Sequence, residues 1–233
     1  MPKYLLAHDL GTSGNKATLF TTDGQLVRSS VSGYPTRYYN GNWAEQNPNA
    51  WWDSVCDSTK SLIREIDPAD ISAVAFSGQM MGCLCLDKQG RPLYDSIIWA
   101  DMRAQKAERL IAEKVGANRF FLITGHRPGA SYTLAKYLWL KENEPDVYKN
   151  TYKILQAKDY MVYKLTGKFC TDYSDATGTN AFDLGRLTSR RMKKIDPNEE
   201  YTVYEVDVPD EGHMEEDEDI LNYDDLDDPD AFV

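Results

Sequence analysis

The hexapeptide Asp9-Leu10-Gly11-Thr12-Ser13-Gly14 holds the residue types a phosphate group needs, set between two strand-like runs. Such a turn presents backbone N–H groups and two hydroxyls, and its glycines permit close approach. Asp9, at the strand end, is placed to hold Mg²⁺ through water, and Lys16 adds a positive charge nearby. An ordinary Gly-Ser hairpin has the same composition, so the hexapeptide alone leaves both readings open. A second polar stretch, Asp172-Tyr173-Ser174-Asp175-Ala176-Thr177-Gly178-Thr179, follows a helix-like segment and Phe169. An aspartate in such a loop can take the proton of a hydroxyl as that oxygen attacks phosphorus, and Asp175 is the candidate for that base. The alternative is a hydrogen-bonded Asx or Ser/Thr turn without chemistry.

Recognition of a polyol needs amides, carboxylates and guanidinium groups around a dry pocket with one apolar face. Gln79, Asp101, Arg103 and Trp99 supply those types near predicted strand ends. Core packing is the other reading of Trp99, as it is of Trp43. His126 has two readings, a substrate contact or a loop residue satisfied by backbone groups, and the second is favoured.

The elements that must position these residues alternate in type. Tyr4–Ala7, Lys16–Phe20 and Gln25–Val31 read as a β-meander, with Asp23-Gly24 as the tight turn before the third run. Asn47-Pro48 is a helix start, and Trp51, Trp52, Val55, Leu62 and Ile63 supply its apolar positions, to about Arg64. Ile71–Phe76 and Cys83–Leu86 read as strands, and the first stops at Ser77-Gly78-Gln79. Met102–Val115, Ser131–Glu142 and Asp159–Leu165 have helical periodicity, with Gly116, Asn143 and Gly167 as stops. A meander followed by alternating helices and strands predicts an α/β domain with a mixed sheet.

The net charge of −11 is unevenly spread. Residues 1–185 carry 21 Lys/Arg against 20 Asp/Glu, whereas residues 186–233 carry 5 against 17. The expected division is therefore a folded domain over 1–185 and an acidic tail over 186–233, partly disordered, with a weakly alternating run at Tyr201–Val208. A balanced body and a repulsive tail argue against nucleic acid as a partner. No apolar run approaches the ~18 residues of a membrane span. The N-terminus lacks an apolar leader core, and Cys56, Cys83, Cys85 and Cys170 have neither zinc-site nor disulfide-framework spacing, so a reduced, cytoplasmic protein is expected.

Five motifs stand in order along the chain: Asp9–Gly14 with Lys16; Trp43-Ala44-Glu45-Gln46-Asn47-Pro48 with Trp51-Trp52; Ser77-Gly78-Gln79-Met80-Met81-Gly82; Trp99-Ala100-Asp101-Met102-Arg103; and Ser174–Thr179. Together they resemble the N-terminal domain of FGGY-family carbohydrate kinases, closest to the xylulokinase-like branch, over about residues 3–184. The resemblance implies an actin-like (ribonuclease-H-like) ATPase fold and phosphorylation of a sugar or polyol hydroxyl, a ketopentose favoured, from ATP and Mg²⁺ in a cleft between two domains. By resemblance Asp9, Gly11, Thr12 and Ser13, with Lys16, belong to the phosphate-binding element. Asp175 matches the base, and Gln79, Met80, Trp99, Asp101 and Arg103 fall in segments lining the sugar pocket.

Two departures accompany it. Many xylulokinases carry histidine where this chain has Met81, and a thioether in place of an imidazole removes a polar contact to the sugar. Residues 186–233 do not resemble the family's second, adenosine-binding domain. The chain is therefore expected to be an N-terminal half, inactive alone, that is either truncated or works with a separate C-terminal kinase domain or a homodimer partner. A non-catalytic sugar-binding or interaction protein, or an inactive remnant, are the competing readings.

Overall fold

The computed structural model describes residues 3–184. Strand β1 (Tyr4–Leu10) alternates, burying Leu6, His8 and Leu10 and exposing Leu5 and Asp9. It pairs antiparallel with β2 (Gly14–Thr21), so that Asp9 lies opposite Lys16. The Asp23-Gly24 turn follows, with Gly24 at φ +90°, and leads to β3 (Leu26–Gly33), which completes the expected meander. A short hairpin, β4 (Arg37–Tyr39) and β5 (Trp43–Gln46), brings the chain to α1 (Pro48–Leu62). Asn47 caps that helix by accepting from the Asn49 N–H at 2.9 Å, as the Asn-Pro pair predicts. Helix α1 packs Leu62 against Leu6, Ala17 and Leu19 of the sheet, and Trp51 and Val55 against Leu10.

Strand β6 (Ile71–Gly78) then runs parallel to β1, giving the order β3-β2-β1-β6. The parallel register sets Leu10 beside Gly78, so the two chemically interesting turns leave the sheet at the same rim. Backbone bonding continues past the strands, where the Gln79 N–H donates to Leu10 O at 2.8 Å. Strand β6 is itself poorly covered: Ala73, Val74 and Ala75 are exposed, and among the described residues no strand lies on its outer edge.

The second part of the domain contains β7 (Leu84–Leu86), β8 (Ser96–Ile97), α2 (Gln105–Val115), α3 (Ala117–Thr124), α4 (Thr133–Asn143), α5 (Pro145–Asn150), β9 (Lys153–Leu155), α6 (Ala157–Thr166) and α7 (Tyr173–Thr177). Strand β8 extends the β4-β5 hairpin, and β7 pairs with β9. The three helices expected from periodicity are α2, α4 and α6, and Gly167 closes α6 at φ +70°. One expectation is corrected. Asp172–Thr179 is not an open loop, because Asp172 accepts from the Asp175 N–H and starts a short helix. No helix among the described residues is long and apolar enough to cross a membrane. The acidic segment and its Tyr201–Val208 run lie outside the described residues.

Candidate active site

The Gly11–Gly14 turn is held by its carbonyls. Tyr34 donates its hydroxyl to Gly11 O, Gln46 Nε2 donates to Thr12 O at 2.7 Å, and the Tyr34 N–H reaches Ser13 O at 3.4 Å. This leaves the N–H groups of Thr12 and Ser13 without an acceptor among the described residues. Gly14 is required sterically, since a β-carbon there would lie 2.7 Å from Ser32 O. Fixed carbonyls and free amides make a cradle suited to an anion. Asp9 and Lys16 are exposed and border, with Ser77 and Thr18, an open concavity of about 380 Å³ on the adjoining sheet face. The described residues contain no cluster of His, Cys, Asp and Glu that could ligate a metal. A single exposed carboxylate suits Mg²⁺, which keeps most of its waters and rarely needs an all-protein cage.

Gln46 joins this turn to the proposed sugar side. Its Oε1 accepts from Trp51 Nε1 at 2.9 Å and from Gln79 Nε2 at 2.7 Å, while its Nε2 holds Thr12 O and Thr36 Oγ1. Trp99 is 43% exposed and not a core residue, and its Nε1 donates to Thr12 Oγ1 at 2.9 Å. Thr12, Trp99 and Gln79 thus form one network. Gln79 Oε1 is a buried acceptor without a partner among the described residues. Met80 adjoins the Asp175 segment, for a β-carbon on Gly178 would lie 3.5 Å from Met80 Cβ.

Asp101 and Arg103, expected in a sugar-lining segment, are both buried and bonded to one another. Arg103 Nη2 lies 2.7 Å from Asp101 Oδ2 and 2.8 Å from Glu45 Oε1, and its guanidinium sits 3.9 Å over Trp43 and 4.9 Å from the Trp139 ring. Asp101 Oδ2 also accepts from the Ala44 N–H at 2.6 Å. Burial alone would push the Glu45 carboxyl up, but hydrogen bonds from Tyr39, Arg37 and Arg103 hold it below the usual range. The cluster fastens the Trp43–Gln46 segment and thereby Gln46 itself.

Asp175 is enclosed as well. Lys158 Nζ stands 3.3 Å from its Oδ1, and neither carboxylate oxygen accepts a hydrogen bond among the described residues. Burial raises its carboxyl above the ordinary value, with Lys158 acting against the rise. A base must touch the hydroxyl it deprotonates, and the Asp175 carboxylate is fully buried in this structure. His126 is a loop residue, as the sequence suggests, but among the described residues its ring meets the Tyr132 side chain and not a backbone group.

Gln46, Glu45, Lys136, Gln156 and Lys158 are absent from the sequence reading of the site. Glu45 and Gln46 stand within a quoted motif, so position is the signal there. Lys136 has a composition signal only, as a lysine within Thr133-Leu134-Ala135-Lys136-Tyr137-Leu138.

The profile of the FGGY family of carbohydrate kinases, N-terminal domain, matches residues 4–192. The chain is 34% identical over 181 residues to a xylulose kinase of Staphylococcus xylosus, covering 78% of this chain and 38% of that protein. It is 35% identical over 186 residues to a xylulose kinase of Bacillus subtilis, covering 79% and 37%. A gluconate kinase from Lactobacillus acidophilus superposes with a TM-score of 0.74 at 31% identity, over 78% of this chain and 37% of that one. The chain thus spans well under half the length of the relatives it matches. Its mixed sheet flanked by helices is the actin-like ATPase fold of those sugar kinases. With the profile matching residues 4–192 and the Gly11–Gly14 turn joined to Gln79 through Gln46, this chain belongs to the FGGY family of carbohydrate kinases, as the family's N-terminal domain.

Proposed function

We propose that the chain forms the sugar-facing half of an ATP-dependent kinase acting on a hydroxyl of a sugar or polyol, with a ketopentose favoured. The observation that carries this reading is Gln79 Oε1, an unpartnered buried acceptor tied through Gln46 to a turn with free amides. A hydroxyl donated to that oxygen would satisfy it, and the same hydrogen-bond network would hold the sugar in register with the anion cradle. The amides of Thr12 and Ser13 would bind phosphate oxygens, Lys16 would add charge, and Asp9 would hold Mg²⁺ through water. ATP with Mg²⁺ supplies the transferred phosphoryl group. Met80 and Trp99 would give the sugar its apolar face. Asp175 enters as the base on the condition that α7 moves to expose it.

The division at Gly185 belongs to the same proposal, as does a second domain, in a separate chain or a homodimer partner, that would close the cleft and exclude water. The enclosure of Asp175 favours a second reading, a protein that binds the sugar without transferring phosphate.

Thermal unfolding of the purified chain with D-xylulose, D-gluconate, glycerol and Mg-ATP tests both. A ligand that binds the native state raises the midpoint, and at about 100 times its Kd the gain is about 2.7 kcal/mol. The expected result is a rise with D-xylulose. No rise with any of the three polyols would overturn the assignment of a sugar site, and ATP turnover by the chain would exclude the binding-only reading.

A further inference from the structure

The Gln79–Gly82 segment reverses at Met81, whose φ of +63° lies in the left-handed region disfavoured by residues with a β-carbon. Something must hold it there. The Met81 N–H donates to Gln156 Oε1 at 2.6 Å, and Met81 O accepts from Lys136 Nζ at 2.7 Å. Gln156 reaches on through Nε2 to Asp175 O. The Lys136 ammonium also donates to Ile98 O at 2.8 Å and Ser131 O at 2.5 Å.

Lys136 is fully buried on α4, and Asp101, the carboxylate acting on it, is bonded to Arg103. Burial pushes the pKa of the Lys136 ammonium down to about 7, with Asp101 acting against the fall and Arg103 adding to it. Its three protons, however, match three carbonyls from three segments: the turn after β6, the stretch leading from β8 to Trp99, and the loop before α4. An apolar side chain would fill the same space but strand Met81 O and Ser131 O, while Ile98 O would keep the Asp101 N–H at 3.0 Å.

We propose that Lys136 and Gln156 are positioning residues that lock Met81 in its left-handed conformation and so fix where Gln79 and Met80 stand in the sugar wall. The consequence for sugar rests on the function proposed above, whereas the lock itself does not. In general terms, a strained residue at a binding site persists only where its surroundings over-determine it, and here two side chains from different helical segments grip the two ends of one residue.

Amide hydrogen exchange and thermal shift on the full chain test the proposal. In Lys136→Met, amides of residues 80–83 should exchange at least tenfold faster while β1 and β2 amides stay within twofold, and the midpoint rise with D-xylulose should be lost. Adding Met81→Gly, which removes the strain, should recover at least half of the lost protection, a rescue that a merely space-filling lysine would not show. Unchanged exchange at 80–83, or an equal increase throughout the chain, would overturn the proposal. If Lys136→Met does not fold, Gln156→Met takes its place with the same criteria at the same amides. If the unsubstituted chain shows no rise with D-xylulose, the sugar reading fails for that probe, and the exchange data still decide the lock.

Discussion

Burial pulls the carboxyl of Asp159 up to about 8, and the neighbouring charge of Asp175 adds to the effect. The carboxyl of Asp159 accepts from the Gln156 N–H and from Thr171 Oγ1, both at 3.2 Å, so it caps α6 while keeping its proton. Between the usual 3.8 and about 8 the unfolded chain therefore binds fewer protons than the folded one, and this group lowers stability as pH rises through that window. Asp159→Asn keeps the capping oxygen and removes the titration. Its unfolding midpoint should match that of the unsubstituted chain near pH 4 and exceed it increasingly up to pH 8, and parallel curves would refute this account. At this scale the sequence is informative about which residues could meet a ligand and uninformative about which of them meet protein. Thr12, Gln79 and Trp99 are recognisable because amides, hydroxyls and indoles in Gly-rich or strand-end positions have few structural uses. Arg103 is ambiguous in the sequence because a guanidinium suits a sugar and an internal carboxylate pair equally well, and only the fold brings Glu45 and Asp101 to it.

Elements follow the same logic of local against distant causes. The meander and α1 are legible because their signals are local: alternation, Asp23-Gly24, and a capping asparagine before proline. The strands β4, β5, β8 and β9 have two to four residues each, too few for a period, and exist because partners lie beside them. Helix α7 hides in a polar run whose cap, Asp172, is as common in turns as at helix starts. The turn between β1 and β2 depends on a distant contact too, since Gly14 faces the backbone of Ser32 and Gly33 on β3. Gly14→Ala should cost about 1–3 kcal/mol through overpacking against backbone that cannot rotate away. Denaturant titration should show that loss at unchanged m-value, and a loss below about 0.5 kcal/mol would mean that β3 yields easily.

For the whole molecule, the sequence conveys the fold class through the order of its elements, while the cleft's chemistry depends on which segments end at one rim, a fact set by the parallel β1–β6 register. That register has another side. Strand β6, Ile-Ser-Ala-Val-Ala-Phe-Ser-Gly, has one strand neighbour among the described residues, no proline and no charge, and it exposes Ala73, Val74 at 43% and Ala75. Open backbone edges of that composition are templates for strands of other molecules. The limit on handling this chain would then be colloidal, set by molecules meeting edge to edge at high concentration and not by loss of the fold. Val74→Lys should lower concentration-dependent light scattering several-fold while moving the unfolding midpoint by no more than about 2 °C. A preparation that stays clear until it melts would be one whose β6 edge already has a neighbour.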